Sequence, residues 1–330
     1  MNKIDEVSVI LCSYQGERFI AQQIESILSQ SYPFVSIHVF DDASEDETVA
    51  IVKKYQQKNS NLHLYINEHN IGYINNFEQA LKQSKAKYIA LCDQDDIWHP
   101  DKLLLSMKEM AKLENEQPQT AILVHSDLSL IDTLSKPLHP SFFAKKSLVF
   151  PNKKSLSHIL GYCGVMGNTI VMNRVLLELA LPFPKELKYH DYWFALVNEF
   201  FGIRKTINKP LVQYRIHQKN TSNNKNIGIK KLSFSRWLKL DFLLPFKEDA
   251  RDKTIRQFIE RYTLDNTDKA LLEGYLEYLI FDGHRFKHFI FLLKYNFLHS
   301  GFLSRAGVFI RMMITMRYHD TPSQTDRKSL

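Results

Sequence analysis

The chain has few cysteines and no long apolar run. Cys12, Cys92 and Cys163 lie far apart and form no CxxC pair, which argues against a disulfide framework or a zinc site and fits a reducing cytoplasm. No stretch reaches the roughly 18 apolar residues of a membrane-spanning helix. No signal-peptide pattern is visible, because the first strand-like run follows acidic residues. These absences predict a cytoplasmic protein.

Common nucleotide-binding and nucleic-acid-binding motifs are also missing. The first predicted strand lacks GxGxxG, which argues against a dinucleotide site, and the chain has no GxxxxGK[ST] phosphate loop. We find no helix-turn-helix, zinc-finger or RNP pattern, so no nucleic-acid partner is expected. A bound nucleotide would therefore be held by carboxylates, an aromatic ring and a metal ion.

Strand and helix patterns alternate through the first 126 residues. Short apolar runs predict strands at 7–12, 36–40, 62–66, 88–91 and 121–126. Helical spacing of apolar residues predicts intervening helices over about 17–30, 44–58, 75–84 and 100–114. Ser44 with Glu47 reads as a capping box at the start of the second helix. This alternation predicts an α/β fold with a parallel sheet.

Polar residues follow each of the first four predicted strands, where ligands of such sheets bind. They are Ser13 and Tyr14, Asp41 and Asp42, Asn70 and Gly72, and Asp93, Asp95 and Asp96. The last three carboxylates repel one another unless a cation neutralises them, so they predict a Mg²⁺ or Mn²⁺ site. A polar turn after a buried strand is the alternative.

The pattern changes after residue 126. Residues 132–158 are predicted to be loop, and a glycine-rich segment at 161–169 leads to a strand at about 169–172. A short strand is expected at 211–214, and from about 226 the chain reads as helical, with helices at 233–244, 253–262 and 268–281.

Six motifs occur in a fixed order: VSVILCSYQGERFI, VFDDASEDET, NEHNIGYINNFEQAL, YIALCDQDDIWHPDKL, YHDYW and YRIHQKNTS. Because of these motifs, roughly residues 5–222 resemble the inverting family 2 glycosyltransferases. Within that family, the forms DQDDIW and NIGYINNF resemble the bacterial rhamnosyltransferase-like branch. The sequence departs from the family in reading DDAS for DDGS, Asn76-Phe77 for Arg-Asn and HDYW for EDWD. The resemblance implies a GT-A type, mostly parallel Rossmann-like sheet flanked by helices, with a helical C-terminal extension.

The resemblance also implies a nucleotide-sugar site. Its predicted contacts are Cys12, Ser13, Tyr14, Asp42, Asn70, Gly72, Asn76, Asp93, Gln94 and Asp95. Tyr14 would flank the base and Asp42 would accept a hydrogen bond from a pyrimidine N–H. The alternatives are a turn aromatic for Tyr14, a helix-cap acid for Asp42 and a plain turn residue for Asn70.

Metal ligands and a general base follow from the same resemblance. Asp95, Asp96 and His217 are the candidate ligands of Mn²⁺ or Mg²⁺, although His217 also reads as a surface loop histidine. Asp191 is the candidate base, because an inverting displacement needs one carboxylate to take the acceptor proton; a helix N-cap is its alternative role.

Three further side chains near these groups have predicted roles. His190 and Trp193 are expected to bind the acceptor, with Trp193 as an apolar platform for the acceptor sugar. Arg215 would either neutralise phosphate or form a structural ion pair.

The C-terminal part of the chain is basic. Residues 281–330 carry eight Lys/Arg against three acidic residues, in a chain of net charge +7, among many large apolar side chains. This pattern predicts a basic amphipathic segment on an anionic membrane, or helices packed on the domain with a solvated basic face. The expected domains are a glycosyltransferase domain at 1–222, with a nucleotide-binding half at 1–126 and an acceptor-binding half at 127–222, and a helical region at 223–330.

Together these features predict an inverting, metal-assisted glycosyltransferase of cell-surface polysaccharide synthesis. It would move a sugar from a nucleotide-diphosphate donor, dTDP-L-rhamnose or a UDP-sugar, to a lipid-linked or oligosaccharide acceptor. We expect it on the inner face of the cell membrane, bound peripherally. The alternatives are a nucleotidyltransferase, whose glycine-rich basic signature is absent after the first strand, and a non-catalytic glycan-binding scaffold.

Overall fold

The computed structural model describes residues 5–146, 148–150, 154–161, 163–218, 220, 249–280, 285–295 and 297. The chain divides into two compact units. One comprises Met1–Ile159 and Cys163–Asn226, and the other comprises Leu160–Tyr162 and Ile227–Leu330. Among the described residues, no helix is both long enough and apolar enough to cross a membrane.

The first unit is built on a nine-stranded sheet. Its strands are β1 (Val7–Ser13), β2 (Val35–Asp41), β3 (Leu62–Ile66), β4 (Tyr88–Asp93), β5 (Ile97–Trp98), β6 (Ala121–Ile131), β7 (Pro137–His139), β8 (Val171–Asn173) and β9 (Gly202–Arg215). They lie in the order β3-β2-β1-β4-β8-β6-β9-β5, and β7 pairs with β6. Parallel pairing joins β3-β2-β1-β4 and also β6-β9, whereas β8 is antiparallel to β4 and β6.

Helices connect and flank these strands. They are α1 (Ile20–Leu28), α2 (Thr48–Gln56), α3 (Tyr73–Gln83), α4 (Lys102–Glu116), α5 (Phe142–Lys146), α6 (Leu156–Gly161), α7 (Arg174–Ala180) and α8 (His190–Phe201). In α1 the buried side chains Ile20, Ile24 and Ile27 recur at helical spacing and form its core-facing stripe. The buried face of each helix and the fully buried β1 form the core of this unit.

The predicted α/β fold with a helix-flanked sheet is confirmed, and the first four strands agree with the sequence prediction to within two residues. The predicted capping box is wrong. Helix α2 begins at Thr48, and its N-cap residue Glu47 makes no side-chain cap hydrogen bond. Ser44 instead donates its hydroxyl and its backbone N–H to Asp41, at 2.7 and 2.8 Å, because an aspartate readily bonds the backbone a few residues later.

The second half of the sheet was predicted less well. Strand β9 is 14 residues long and pairs with β6 from its first residue, Gly202, whereas the sequence predicts a strand only at 211–214. Its N-terminal part contains Arg204, Lys205 and Lys209, which interrupt the apolar pattern of a strand. Likewise β7 and α5 lie within the segment predicted as loop.

The second unit is helical where it is described. It contains α9 (Asp249–Arg261), α10 (Asn266–Ile280) and α11 (Arg285–Lys294). Its core includes Phe258 and Tyr275, and the Tyr275 ring stacks on Phe297 with centroids 5.2 Å apart. The predicted helix at 233–244, and the predicted basic membrane segment beyond residue 297, lie outside the described residues.

Candidate active site

A cavity of about 1520 Å³ lies at the C-terminal ends of β1, β2 and β4. All ten residues predicted to contact a nucleotide sugar line it, and so do Asp191 and His217. The parallel register explains this convergence: Ser13 is paired with Asp41, and Cys12 with Asp93. Polar residues far apart in the sequence therefore meet at one sheet edge.

Asp42 organises the loop that follows β3. Its carboxylate accepts hydrogen bonds from the backbone N–H groups of Ile71 and Gly72 and from the Asn67 amide, each at 2.9 Å. An ionised carboxylate has about four acceptor positions, so these three bonds leave Asp42 able to accept one more from a ligand.

Gly72 and Asn76 complete this loop. Gly72 is the N-cap of α3 with a φ of 86°, a left-handed conformation that favours glycine. Asn76 is buried and donates its amide to the Phe40 carbonyl at 2.9 Å, which ties α3 to the end of β2. Asn70 donates to the Asp42 carbonyl at 3.3 Å. The loop is therefore preorganised by side-chain to backbone bonds.

Tyr14 and Gln94 connect the ends of β1 and β4. The Gln94 amide accepts from the Tyr14 N–H and donates to the Tyr14 carbonyl, both at 2.9 Å. The Tyr14 side chain itself is 46% exposed and lines the cavity. Its ring is therefore available to a flat ligand while its backbone is fixed.

The three carboxylates at the end of β4 and in the turn that follows it have different surroundings. Asp93 is at the strand end, and burial, followed by the charges of Asp95 and Asp191, raises its pKa to about 8. Asp95 lies in the cavity wall, where its Oδ2 is 2.7 Å from His217 Nε2. Excess negative charge at this end of the cavity would favour a bound cation.

Asp96 is not a metal ligand in this arrangement, and the prediction that it would be one is wrong. It is 0% exposed and does not line the cavity. One oxygen accepts from the Arg215 backbone N–H at 3.0 Å and the other from the Asn168 amide at 2.5 Å. These bonds satisfy a buried carboxylate and tie β9 to the turn after β4.

Asp95 and His217 fit a divalent cation that is bound mainly by its substrate. Within the described ranges, no cluster of three or more His, Cys, Asp or Glu side chains could hold a metal ion. Mg²⁺ sites that act on phosphates often use only one or two carboxylates and complete their shell with phosphate and water oxygens. A carboxylate and a neutral imidazole both suit Mn²⁺ as well.

Arg215 has a structural role, and its side chain does not line the cavity where it could neutralise phosphate. Its side chain is 1% exposed and donates to the Asp95 carbonyl at 2.8 Å and to Gln22 Oε1 at 2.6 Å. Its guanidinium also lies 4.7 Å from the centroid of the Phe19 ring. It holds the turn that carries Asp95.

Asp191 lies in the first turn of α8 and faces the cavity. Its Oδ1 accepts from the Tyr192 N–H at 2.7 Å, so the carboxylate also stabilises the helix start, where a negative charge is favoured. The N-cap position itself is occupied by Tyr189.

The predicted acceptor contacts of His190 and Trp193 are wrong. Both side chains are at most 1% exposed and neither lines the cavity. The Trp193 indole donates to the Ala180 carbonyl at 2.8 Å, and His190 stacks on Phe77. Most residues of α8 are buried in this way, whereas Asp191 is partly exposed and lines the cavity.

The cavity also contains residues that the sequence reading missed. They include Tyr73, Met166, Asn168, Lys188, Tyr189 and Tyr214. Tyr73 and Tyr189 are adjacent to predicted site residues, so their position was the only available signal. Asn168 carried no signal, since its role depends on its bond to the distant Asp96.

The chain is similar to known glycosyltransferases. Residues 8–171 match the model of glycosyl transferase family 2. An uncharacterized glycosyltransferase of Rickettsia prowazekii is 29% identical over 66% of this chain and 66% of its own length. The UDP-Glc:alpha-D-GlcNAc-diphosphoundecaprenol beta-1,3-glucosyltransferase WfgD of Escherichia coli is 28% identical over 68% of this chain and 83% of its own length.

Two solved structures share the fold. Staphylococcus aureus TarS 1–349 in complex with UDP-GlcNAc has a TM-score of 0.56 at 17% identity, covering 88% of this chain and 80% of that one. The mannosyltransferase PcManGT from Pyrobaculum calidifontis, in complex with GDP-Man and Mn²⁺, has a TM-score of 0.56 at 16% identity, covering 96% and 82%. Residues 8–171 therefore belong to glycosyl transferase family 2, and the protein is a glycosyltransferase with the GT-A fold.

Proposed function

We propose that this glycosyltransferase moves a sugar from a nucleoside-diphosphate donor to a lipid-linked glycan acceptor, with inversion, and that Asp191 is the base. One observation carries the proposal: Asp191, the Asp95–His217 pair and the ordered loop around Asp42 line a single cavity. An inverting transfer needs a base, a site for a departing diphosphate and a nucleotide pocket.

A UDP-sugar is the favoured donor. The relative WfgD is named for UDP-Glc, and a neighbouring structure is a complex with UDP-GlcNAc. The Asp42 carboxylate could accept a hydrogen bond from the N–H of either uracil or thymine. The second candidate donor is therefore dTDP-L-rhamnose, and its support is the resemblance of DQDDIW and NIGYINNF to the rhamnosyltransferase-like branch. Because WfgD is named for a diphosphoundecaprenol acceptor, we extend a lipid-linked acceptor to this chain as well.

The proposed reaction is a direct displacement. An acceptor hydroxyl oxygen attacks the anomeric carbon, the bond from that carbon to the diphosphate oxygen breaks, and its electron pair leaves with the diphosphate. The acceptor proton passes to Asp191, whose carboxylate faces the cavity. Asp95 and His217 would hold Mn²⁺ or Mg²⁺, which supplies positive charge to the leaving diphosphate.

We also propose peripheral attachment to the inner face of the membrane that carries the acceptor. The support is the excess of basic residues over 281–330 together with many apolar ones. In this proposal residues 1–222 form the catalytic domain, divided at 126 into nucleotide-binding and acceptor-binding halves, and residues 223–330 form a helical membrane-associating region.

Replacing Asp191 with asparagine tests the base. Asparagine keeps an Oδ1 that can accept the Tyr192 N–H, but it cannot take a proton at neutral pH. We expect kcat to fall by about 10²–10⁴-fold, while the dissociation constant for UDP stays the same. The donor screen would use UDP-glucose, UDP-N-acetylglucosamine and dTDP-L-rhamnose with undecaprenyl-diphosphate-linked sugars.

The matched control is Asp101→Asn, which changes an exposed carboxylate outside the cavity. It should leave turnover unchanged. Retained turnover in Asp191→Asn would remove Asp191 as the base. Failure of the wild-type protein to bind or transfer from any of these donors would contradict the proposed function and favour a glycan-binding scaffold.

A further inference from the structure

Tyr73 and His190 form a polar pair at the cavity wall that the proposed reaction does not use. The Tyr73 hydroxyl oxygen is 2.8 Å from His190 Nδ1. Tyr73 lines the cavity and is 36% exposed, whereas His190 is 1% exposed. The pair therefore connects a buried ring to a side chain that a ligand can reach.

His190 is neutral under physiological conditions, because burial lowers its pKa to about 3. A neutral imidazole carries its proton on one nitrogen only, and the hydrogen-bond network must assign which. Nε2 is buried and has no hydrogen-bond partner. Either that nitrogen holds an unpaired N–H, or it holds an unpaired lone pair.

The surroundings of Nε2 favour the lone pair. A Cβ built on Gly167 would lie 2.9 Å from Nε2, so this nitrogen faces the glycine backbone closely. Buried N–H groups without an acceptor are rarer than buried acceptors without a donor. The proton is therefore assigned to Nδ1, which donates it to the Tyr73 oxygen.

This tautomer fixes the direction of the Tyr73 hydroxyl. Its oxygen accepts from His190, so its own hydrogen is free to be donated into the cavity. Asp93 and Asp191 line the same cavity, and burial, followed by the charges of these two carboxylates, raises the pKa of Tyr73. Tyr73 therefore lies in the wall of the same cavity as the proposed base, within reach of a sugar that binds there.

We propose that Tyr73, oriented by a hydrogen bond from the buried His190, donates a hydrogen bond to a hydroxyl group of the transferred sugar and thereby selects the donor. This inference rests on the proposed function. Tyr73 is then a sugar-contacting residue, and His190 is a positioning residue that acts through it. A site built to bond a substrate hydroxyl discriminates against sugars that lack it.

The first test is calorimetry on Tyr73→Phe, with Tyr55→Phe, outside the cavity, as the control. Phenylalanine keeps the edge-on ring contact with Phe77 at 5.2 Å but removes the hydroxyl. We expect the affinity for the donor sugar nucleotide to fall roughly 3–10-fold, while affinity for the free nucleoside diphosphate is unchanged. Donors that each lack one sugar hydroxyl identify its partner. The donor that lacks the hydroxyl bound by Tyr73 should bind the wild type and Tyr73→Phe with equal affinity.

The outcomes separate the two proposals. If the wild type binds none of UDP-glucose, UDP-N-acetylglucosamine and dTDP-L-rhamnose, the proposed function fails and this inference fails with it. If it binds a donor but Tyr73→Phe weakens the sugar nucleotide and the free diphosphate equally, or weakens neither, only the inference is overturned. A uniform loss across all deoxy donors overturns it as well.

The second test reads the tautomer without any ligand. Nitrogen-15 NMR of the full chain distinguishes a protonated Nδ1 from a protonated Nε2. The ring signals of His190 are identified because they are missing from the spectrum of His190→Phe. We expect a neutral ring with the proton on Nδ1. A proton on Nε2 would leave the Tyr73 hydrogen directed at the ring and would overturn the proposed orientation.

Discussion

Replacing Arg215 with methionine should lower the stability of the fold around the site, although Arg215 itself does not line the cavity. The guanidinium donates to the Asp95 and Asp132 carbonyls at 2.8 and 3.2 Å, to Ser135 Oγ at 2.9 Å and to Gln22 Oε1 at 2.6 Å. Methionine retains part of the apolar stem but none of these four bonds.

The expected cost follows from these contacts. A hydrogen bond to a charged group contributes about 1.5–3 kcal/mol net, but bonds that share one side chain are not additive. We expect the free energy of unfolding of Arg215→Met to fall by about 3–5 kcal/mol, a large fraction of the roughly 5–15 kcal/mol of a typical domain.

Urea denaturation of the full chain measures this change, with Arg18→Met as the matched control. Arg18 also lies over the Phe19 ring, at 5.0 Å, but it is exposed, so its replacement should change stability by less than about 0.5 kcal/mol. Arg215→Lys should lose most of the same stability, since an ammonium cannot reproduce the hydrogen bonds of the planar guanidinium. A loss below about 1 kcal/mol in Arg215→Met would refute the structural role.

Two further substitutions test buried groups. Lys102 is 0% exposed, its ammonium lies over the Trp98 ring at 3.5 Å without a hydrogen-bond partner, and burial lowers its pKa to about 7. The buried charge therefore lowers stability in full below that pH and progressively less above it. In urea denaturation, Lys102→Met should raise the free energy of unfolding by about 1–4 kcal/mol at about pH 6 and by less at about pH 9. An equal gain at both pH values would contradict burial of the charge as the cause. Trp193→Phe should lose about 1–3 kcal/mol with its bond to the Ala180 carbonyl, and an increased KM for the acceptor at unchanged stability would restore Trp193 as a platform.

The parallel half of the fold was predictable because its strands are apolar and its turns are polar. Once β1, β2 and β4 were identified, the convergence of Ser13, Asp42 and Asp93 followed from parallel topology alone. Strand β9 was not predictable in full, since its N-terminal half pairs with β6 while carrying charged side chains. The backbone pairing that stabilises it has no signature in the side-chain pattern.

Residues at strand ends line the cavity as the sequence predicts, whereas side-chain orientation elsewhere could not be predicted. Asp95 and Asp96 are adjacent, yet one faces the cavity and the other is buried against Arg215 and Asn168. His190 and Asp191 divide in the same way at the start of α8. Sequence identifies such pairs, but only the packing of partners far along the chain decides which member faces the ligand.

In the proposed reaction, a cation bound near Asp95 and His217 assists departure of the diphosphate. The most direct test of this role is the rate of sugar transfer by the purified full chain in excess EDTA and after adding back Mn²⁺ or Mg²⁺. Transfer should be abolished by the chelator and restored by either cation. Full activity in excess EDTA would contradict it.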